Sequence, residues 1–290
     1  MTVQFHLFMP QMRLTFDALT ERAQAAEAAG FNGMATIDHL QPPGAVGHPM
    51  YEAMTTATWL AARTERLVQG HLVLCDSFRH PAMTAMTAVS IDHASNGRFE
   101  LGIGWGSVPA EFTTFGIGET APPYRVSRLA ESLAVITALW RGESVTVAGE
   151  HFTLTDAVQA PTPLTKIPIL IGGSGTKTLK LVAQYADWWN LPVHQLDKFD
   201  EKREQAGNAR VSIQQMATLI RPDQDRAEVT ATALRRFGHS NPTVGSAEEL
   251  VDHFGKLADR GIERFYVWFT DFAPAETIAA FGEGVIAPLQ

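Results

Sequence analysis

A single cysteine, Cys75, stands among 290 residues. A lone thiol cannot close an intramolecular disulfide, and it excludes zinc or iron–sulfur sites built from several cysteines. The chain has no run of ~20 apolar residues, so no segment reads as a membrane-spanning helix and no membrane partner is expected. Lysine and arginine are scattered and the formal net charge is −8. Nucleic acid and anionic membranes require a concentrated basic face, which is absent. The first residues, Met1-Thr2-Val3-Gln4-Phe5, lack the basic stretch, apolar core and small-residue cleavage site of a secretory leader, so a soluble cytoplasmic protein is expected. None of the histidines is spaced with glutamate as in zinc proteases, and no metal is expected.

What is present is core-forming material, 45% hydrophobic against 19% charged residues, arranged as β-like runs alternating with amphipathic helices. That alternation favours a parallel sheet whose helices return each strand to the same direction. The length exceeds the ~250 residues usual for a closed α/β barrel by a modest insertion. We therefore expect an α/β fold, a (β/α)8 TIM barrel forming one domain over residues 1–290, with a small insertion after the fourth helix. The expected strands are Val3 to Phe8, Asn32 to Thr36, Leu67 to Leu74, Arg98 to Ile103, Pro168 to Ile171, Asp187 to Asn190, Val211 to Thr218 and Arg264 to Trp268. Phe16, Leu19, Ala23 and Ala26 share one helical face that ends at Gly30, and Leu129, Leu133, Ile136 and Trp140 form another stripe before Gly142. Val145 to Val147 and His151 to Thr153 read as a hairpin across Ala148-Gly149-Glu150, which is the insertion. Ser246 and Glu249 form a capping box, and Pro274 suits a first helical turn.

In such barrels, residues just past the C-terminal ends of the strands face the active site. Here they are Asp38-His39, Cys75-Asp76-Ser77, Gly104-Trp105-Gly106, Gly172-Gly173-Ser174-Gly175-Thr176 and Trp189-Asn190. The run from Gly172 to Thr176 leads into a helix with Leu179, Val182 and Ala183 on its inward face. Small residues allow close backbone approach, and a helix start offers unpaired amides and a positive dipole end to a phosphate, with Lys177 nearby. The same run also reads as a tight turn with Ser174 or Thr176 as N-cap. His39 suits proton transfer near neutral pH, with Asp38 orienting it or holding substrate, although a histidine there can equally serve loop amides.

Two other motifs fail. Gly102-Ile103-Gly104-Trp105-Gly106 misplaces the third glycine of a dinucleotide fingerprint, and Val108-Pro109 does not open the helix that motif needs. Gly172 to Thr176 has threonine where a serine-hydrolase elbow needs glycine. Trp105, Trp188, Trp189 and Trp268 lie near strand ends, where they could flank a flat ring or fill the upper barrel layer; Trp105 is the best placed for a ring.

Together these segments resemble the luciferase-like monooxygenase superfamily, particularly the branch that uses the 8-hydroxy-5-deazaflavin coenzyme F420. The resemblance rests on Ala26-Glu27-Ala28-Ala29-Gly30-Phe31, Asp38-His39, Ala61-Ala62-Arg63-Thr64, Arg79-His80-Pro81-Ala82, Asn96-Gly97-Arg98-Phe99-Glu100-Leu101-Gly102, Pro168-Ile169-Leu170-Ile171-Gly172-Gly173 and Ala186-Asp187-Trp188-Trp189-Asn190. It spans most of the first 190 residues and fades beyond Asn190. It implies that Asp38 and His39 touch the coenzyme ring or substrate, and that Gly172, Gly173, Ser174, Gly175 and Thr176 hold its phosphate. It also implies that Gly70, His71, Leu72 and Val73 lie under the ring, with a cis peptide between Leu72 and Val73, and that Trp105 and Asn190 line the site. His71 replaces the usual small hydroxyl residue. Trp105 stands where sugar-phosphate dehydrogenases of this family carry a proton-donating glutamate.

The function expected from these readings is an oxidoreductase that moves a hydride between F420 and a small organic substrate at the barrel mouth, with His39 carrying a proton. Two alternatives remain at this level: a monooxygenase using reduced FMN, and a non-catalytic flavin-binding barrel. A homodimer is also expected.

Overall fold

The structure, a computed structural model, describes residues 3–290; Met1 and Thr2, part of the leader reading, lie outside them. Nine strand segments follow one another around a ring, all paired in parallel. Two of the segments, Val68–His71 and Leu74–Cys75, are halves of one stave. The first half pairs with the second strand (Gly33–Thr36) and the other half with the fourth (Leu101–Gly104), so the ring closes with eight staves. The remaining staves are the first strand (Gln4–Phe8), the fifth (Ile169–Gly172), the sixth (Trp188–Leu191), the seventh (Arg210–Leu219) and the eighth (Arg264–Phe269). The α/β barrel expected from the sequence is the fold observed. A short strand that the sequence did not disclose, Thr243–Gly245, extends the sheet beside the far end of the seventh strand.

Helices pack outside the ring because each carries one apolar stripe. Leu19, Ala23 and Ala26 are buried on the first (Phe16–Ala28), while Phe16 sits at the margin against Tyr51. Helix Thr176–Tyr185 buries Thr178, Leu179, Leu181 and Val182, but Ala183, expected inward, is exposed. The capping box at Ser246 and Glu249 is formed, and Leu250, Phe254 and Leu257 below it are buried. Phe5, Phe254, Phe265 and Phe281 interlock between the sheet and its outer helices.

After helix Pro122–Leu139, strands Val145–Ala148 and Thr153–Ala157 pair antiparallel. The second of these strands begins at Thr153, where the sequence suggested His151. The Glu131 carboxylate accepts the amides of His151 and Phe152 at 3.0 and 2.8 Å, which draws those two residues into the turn. The fourth strand also starts later than expected. Arg98 turns its guanidinium to the carbonyls of Ala61 and Leu67 and anchors the strand's approach.

The inside of the ring is filled. Phe8, Ala35, Leu170, Trp188 and Tyr266 pack across it. Beneath them the Glu100 carboxylate accepts 2.7 Å bonds at both oxygens from Arg264 Nη1 and a 2.9 Å bond from the Tyr266 hydroxyl. The Arg264 guanidinium lies 3.6 Å over the Trp188 ring, and its Nε donates to Gln4. Burial pushes the Tyr266 phenol well above its ordinary range. Burial, assisted by the Arg264 charge, holds His6 well below its own. Among the described residues no helix is long and apolar enough to cross a membrane.

Breaking the buried ion pair from one side leaves an unpaired carboxylate in the barrel. Arg264→Leu is expected to lower unfolding stability by roughly 3–5 kcal/mol, and adding Glu100→Leu should recover most of it, read from urea midpoints. A second expectation concerns His71, which is 1% exposed. Its pKa is lowered from 6.5 to about 4, first by burial, with Asp38 pulling the other way. The unfolded chain therefore binds this proton at higher pH than the folded one, so this contribution to stability is present above pH 6.5 and is lost as the pH falls towards 4. Between pH 7 and 5 the loss from this one group is about 2 kcal/mol. His71→Leu should flatten the urea-derived stability profile by that amount, and an unchanged slope would count against the assignment.

Candidate active site

The loop after the second strand is fixed before it delivers any chemistry. Gln11, fully buried, takes both backbone groups of Ile37: its side-chain nitrogen donates to the Ile37 carbonyl at 2.6 Å and its oxygen accepts the Ile37 amide at 3.0 Å. Asp38 follows. One of its oxygens accepts the Cys75 amide at 2.8 Å and Arg79 Nη1 at 2.6 Å, and the other accepts Arg79 Nη2 at 2.9 Å. A two-pronged guanidinium contact occupies the lone pairs that a proton-transferring carboxylate needs free. Asp38 thus braces the second loop against the third, where the sequence suggests a carboxylate that orients His39 or holds substrate. Arg79 also reaches Glu52, the N-cap of helix Ala53–Ala61.

His39 is held from another side. Its Nδ1 lies 2.7 Å from Glu111 Oε2, and Glu111 Oε1 accepts the Leu40 amide at 2.7 Å. A carboxylate at Nδ1 fixes the proton there and leaves Nε2 as the free lone pair of a neutral imidazole. The side chain of Glu111 is only 3% exposed. It sits in a short helix, Pro109–Phe115, that starts with proline in its first turn. Sequence reasoning set Val108-Pro109 aside because it does not open a crossover helix. It does open a helix, a short one bound to the site, and proline followed by an acidic residue in a first turn was the signal available.

Opposite His39, the fifth strand runs into Gly173 at φ +122°, a conformation that side chains resist, and then into helix Thr176–Tyr185. The N-cap is Gly175, and no side chain caps it, so neither Ser174 nor Thr176 plays the N-cap role considered for them. The turn is tied from outside. Trp189 Nε1 donates to the Gly173 carbonyl at 2.7 Å, Lys202 Nζ to the Ser174 carbonyl at 2.9 Å, and the Gly173 amide to the Asn190 carbonyl at 3.1 Å. Lys202 is the cation bonded to this turn, whereas Lys177 is exposed.

One cleft of about 520 Å³ brings together Asp38, His39, Leu72, Val73, Trp105, Gly172, Gly173, Ser174, Gly175 and Asn190. The Leu72–Val73 peptide is cis, at the position the resemblance implied. Gly104 faces it; a Cβ there would come within 2.8 Å of Val73 Cγ2, so only glycine leaves Val73 its place. Three of the residues that the resemblance placed at the coenzyme are not in the cleft, nor are Asp76, Ser77 and Trp189 of the expected rim. Gly70 faces Glu100 in the barrel interior, His71 is buried edge-on to Phe99, and Thr176 lies in the helix. The Ala53 amide approaches the His71 ring, but neither ring nitrogen completes a hydrogen bond. Of the tryptophans, Trp188 fills the barrel, Trp189 clamps the glycine turn and Trp105 lines the cleft beneath the Arg125 guanidinium. Glu111, Phe112, His194 and Gln214 line the cleft without having been expected there, and Cys75, expected at the rim, lines it as well. Burial pushes the Cys75 thiol up to about 12, which removes it as a nucleophile.

An F420-dependent glucose-6-phosphate dehydrogenase of Microbacterium testaceum is 31% identical over 255 residues, which cover 83% of this chain and 72% of that protein. An F420-dependent hydroxymycolic acid dehydrogenase of Mycobacterium tuberculosis is 31% identical over 245 residues, 80% of this chain and 65% of the other. Among solved structures, an F420-dependent secondary alcohol dehydrogenase in complex with an F420-acetone adduct superposes with a TM-score of 0.83 at 20% identity, covering 100% of this chain and 99% of that one. The EDTA monooxygenase of Chelativorans sp. BNC1 reaches the same TM-score at 12% identity, covering 100% and 94%. These two likenesses establish the shared barrel. The profile of luciferase-like monooxygenases matches residues 2–281, nearly the whole length, and the chain belongs to that family.

Proposed function

We propose that this protein is an F420-dependent oxidoreductase in which His39 exchanges a proton with a small organic substrate while a hydride passes between substrate and coenzyme. The observation that carries this reading is the pairing, in one cleft, of an imidazole fixed at Nδ1 by Glu111 with an uncapped helix start approached through glycines. Relatives named as F420-dependent, matched over four fifths of the chain, support the choice of coenzyme.

The donor set fits such a coenzyme. The amides opening helix Thr176–Tyr185, without a side chain competing for them, suit a phosphate, and Lys202 adds positive charge at the same turn. Leu72 and Val73 offer an apolar floor to a planar ring, with Trp105 at its side. A bound deazaflavin supplies a carbon that accepts or gives a hydride. The protein does the rest. Glu111 keeps the Nε2 lone pair of His39 available and favours the imidazolium once a proton arrives. Asp38 and Arg79 hold the loop so that this nitrogen stays in place. Mostly apolar cleft walls limit water near the transferring hydride.

Spectroscopic titration of the purified protein with F420 and with FMN is expected to show tighter F420 binding; tighter FMN binding would replace this reading with oxygenase chemistry. Lys202→Met should weaken F420 binding while leaving the melting temperature close to wild type, whereas Gly173→Val, a β-branched side chain at φ +122°, should weaken binding and lower the melting temperature as well. His39→Ala should lower kcat by about 10²–10⁴-fold with F420 affinity retained. Glu111→Gln should cost less and change the pH profile of kcat. Undiminished turnover in the His39 variant would remove the imidazole from the mechanism.

A further inference from the structure

The loop after the third stave serves the site at two points: Phe78 lines the cleft, and Arg79 grips Asp38. Both depend on a single turn of 3-10 helix, Asp76–Phe78. Such a turn holds its own shape poorly. Its closing bond, from the Arg79 amide to the Asp76 carbonyl, is long at 3.4 Å. What fixes it comes from outside the ring. Arg128, on helix Pro122–Leu139, donates through Nη1 to the Asp76 carbonyl at 2.7 Å and to the Asp76 carboxylate, and through Nη2 to the Arg79 carbonyl at 3.0 Å. One guanidinium thus holds both ends of the turn.

Behind Arg128 stands the hairpin. The Arg128 guanidinium lies 4.8 Å from the centre of the Phe152 ring, and the other contact of that ring is an edge-to-face one with His80 at 5.2 Å. Phe152 is buried, and its amide is tied to Glu131, on the same helix as Arg128. The hairpin strands take no place in the ring of staves, and the hairpin residues lie outside the cleft lining. Contacts nevertheless run from the hairpin inward, from Phe152 to Arg128, to the turn, to Arg79 and to Asp38, the neighbour of His39.

We propose that Arg128 is a positioning residue of the active site and that the hairpin is its buttress. Phe152 keeps the guanidinium in the orientation that spans the turn, the turn sets Phe78 at the cleft and Arg79 on Asp38, and Asp38 fixes the loop that carries His39. The planar fork is what the task requires, because it aims donors at two separate carbonyls while its face rests on a ring; a lysine ammonium is a point charge and cannot do both. The side chains of Arg128 and Asp76 are 14% and 2% exposed, so these charge-assisted bonds face little competition from water. The consequence for turnover rests on the proton-transfer reading of His39, whereas the positioning itself does not.

The His39 Nδ1 proton, shared with Glu111, reports on that loop without any substrate. Its exchange with water is read by NMR on protein carrying isotope-labelled histidine, and F420 affinity is measured beside it. Arg128→Lys is expected to speed the exchange by about tenfold or more and to weaken F420 binding. Phe152→Leu, outside the cleft, should speed it by about threefold, while Phe152→Tyr, which keeps the ring face, should match wild type. Leu250→Ala, in the buried face of helix Ala247–Asp259, is the control: it should lower the melting temperature at least as far as Phe152→Leu and leave both readings unmoved. Should Arg128→Lys fail to fold, the two Phe152 variants decide. Wild-type exchange and F420 affinity in folded Arg128→Lys, or in Phe152→Leu, overturn the proposal, and so does an equal shift in Leu250→Ala, which would reduce the effect to stability. If exchange depends on Arg128 but turnover survives His39→Ala, the positioning stands and the proton-transfer reading falls.

Discussion

The ion pair between Glu100 and Arg264 is a strut across the barrel. In the order of the ring, the fourth and eighth strands lie diametrically opposite each other, and this pair joins them through the middle, with the Tyr266 hydroxyl and the Trp188 ring completing its surroundings. A closed ring of eight staves has an interior that must be filled, and filling it with charge is tolerable only when every donor and acceptor is met. Here the carboxylate receives the guanidinium at both oxygens. The strut closes the lower half of the barrel, so the open volume is confined to the mouth.

At the mouth, the loops are arranged so that the reactive group is not the one doing the holding. Asp38 spends its lone pairs on Arg79 and the Cys75 amide, locking two loops together. Glu111, arriving from the loop after the fourth strand, fixes one nitrogen of His39 and leaves the other open. Three loops are thereby tied into one rigid wall. The glycine turn forms the facing wall and is itself held by Trp189 and Lys202. A planar coenzyme with an anionic tail suits such a preformed slot, with the polar groups of His39 and Glu111 on one wall and the amides of the glycine turn on the other.

Much of this was legible in the sequence because it depends on local pattern. Short β-like runs and helical stripes located the eight staves, and Ser246 with Glu249 marked a helix start that the structure shows in full. Residues immediately after strand ends, His39 and Gly172 to Gly175, were found for the same reason. What escaped notice depends on long-range contact. Nothing near Glu111 in the sequence announces its bond to His39, 72 residues away, and Gln11 shows no hint of its grip on Ile37. His71 was misassigned because side chains alternate along a strand: one step from Leu72, it points away from the mouth and is buried against Phe99.

The alternation that buries His71 also explains why the mouth divides into two chambers. On the first and eighth strands the inward positions near the top are Phe8 and Trp268, both large and aromatic, and they meet in the middle of that side. On the fourth and fifth strands the matching positions are Gly104 and Gly172, which leave open space against Val73. Bulk on one side and absence of bulk on the other partition the rim into a glycine-lined slot and an apolar chamber separated by the Phe8–Trp268 wall.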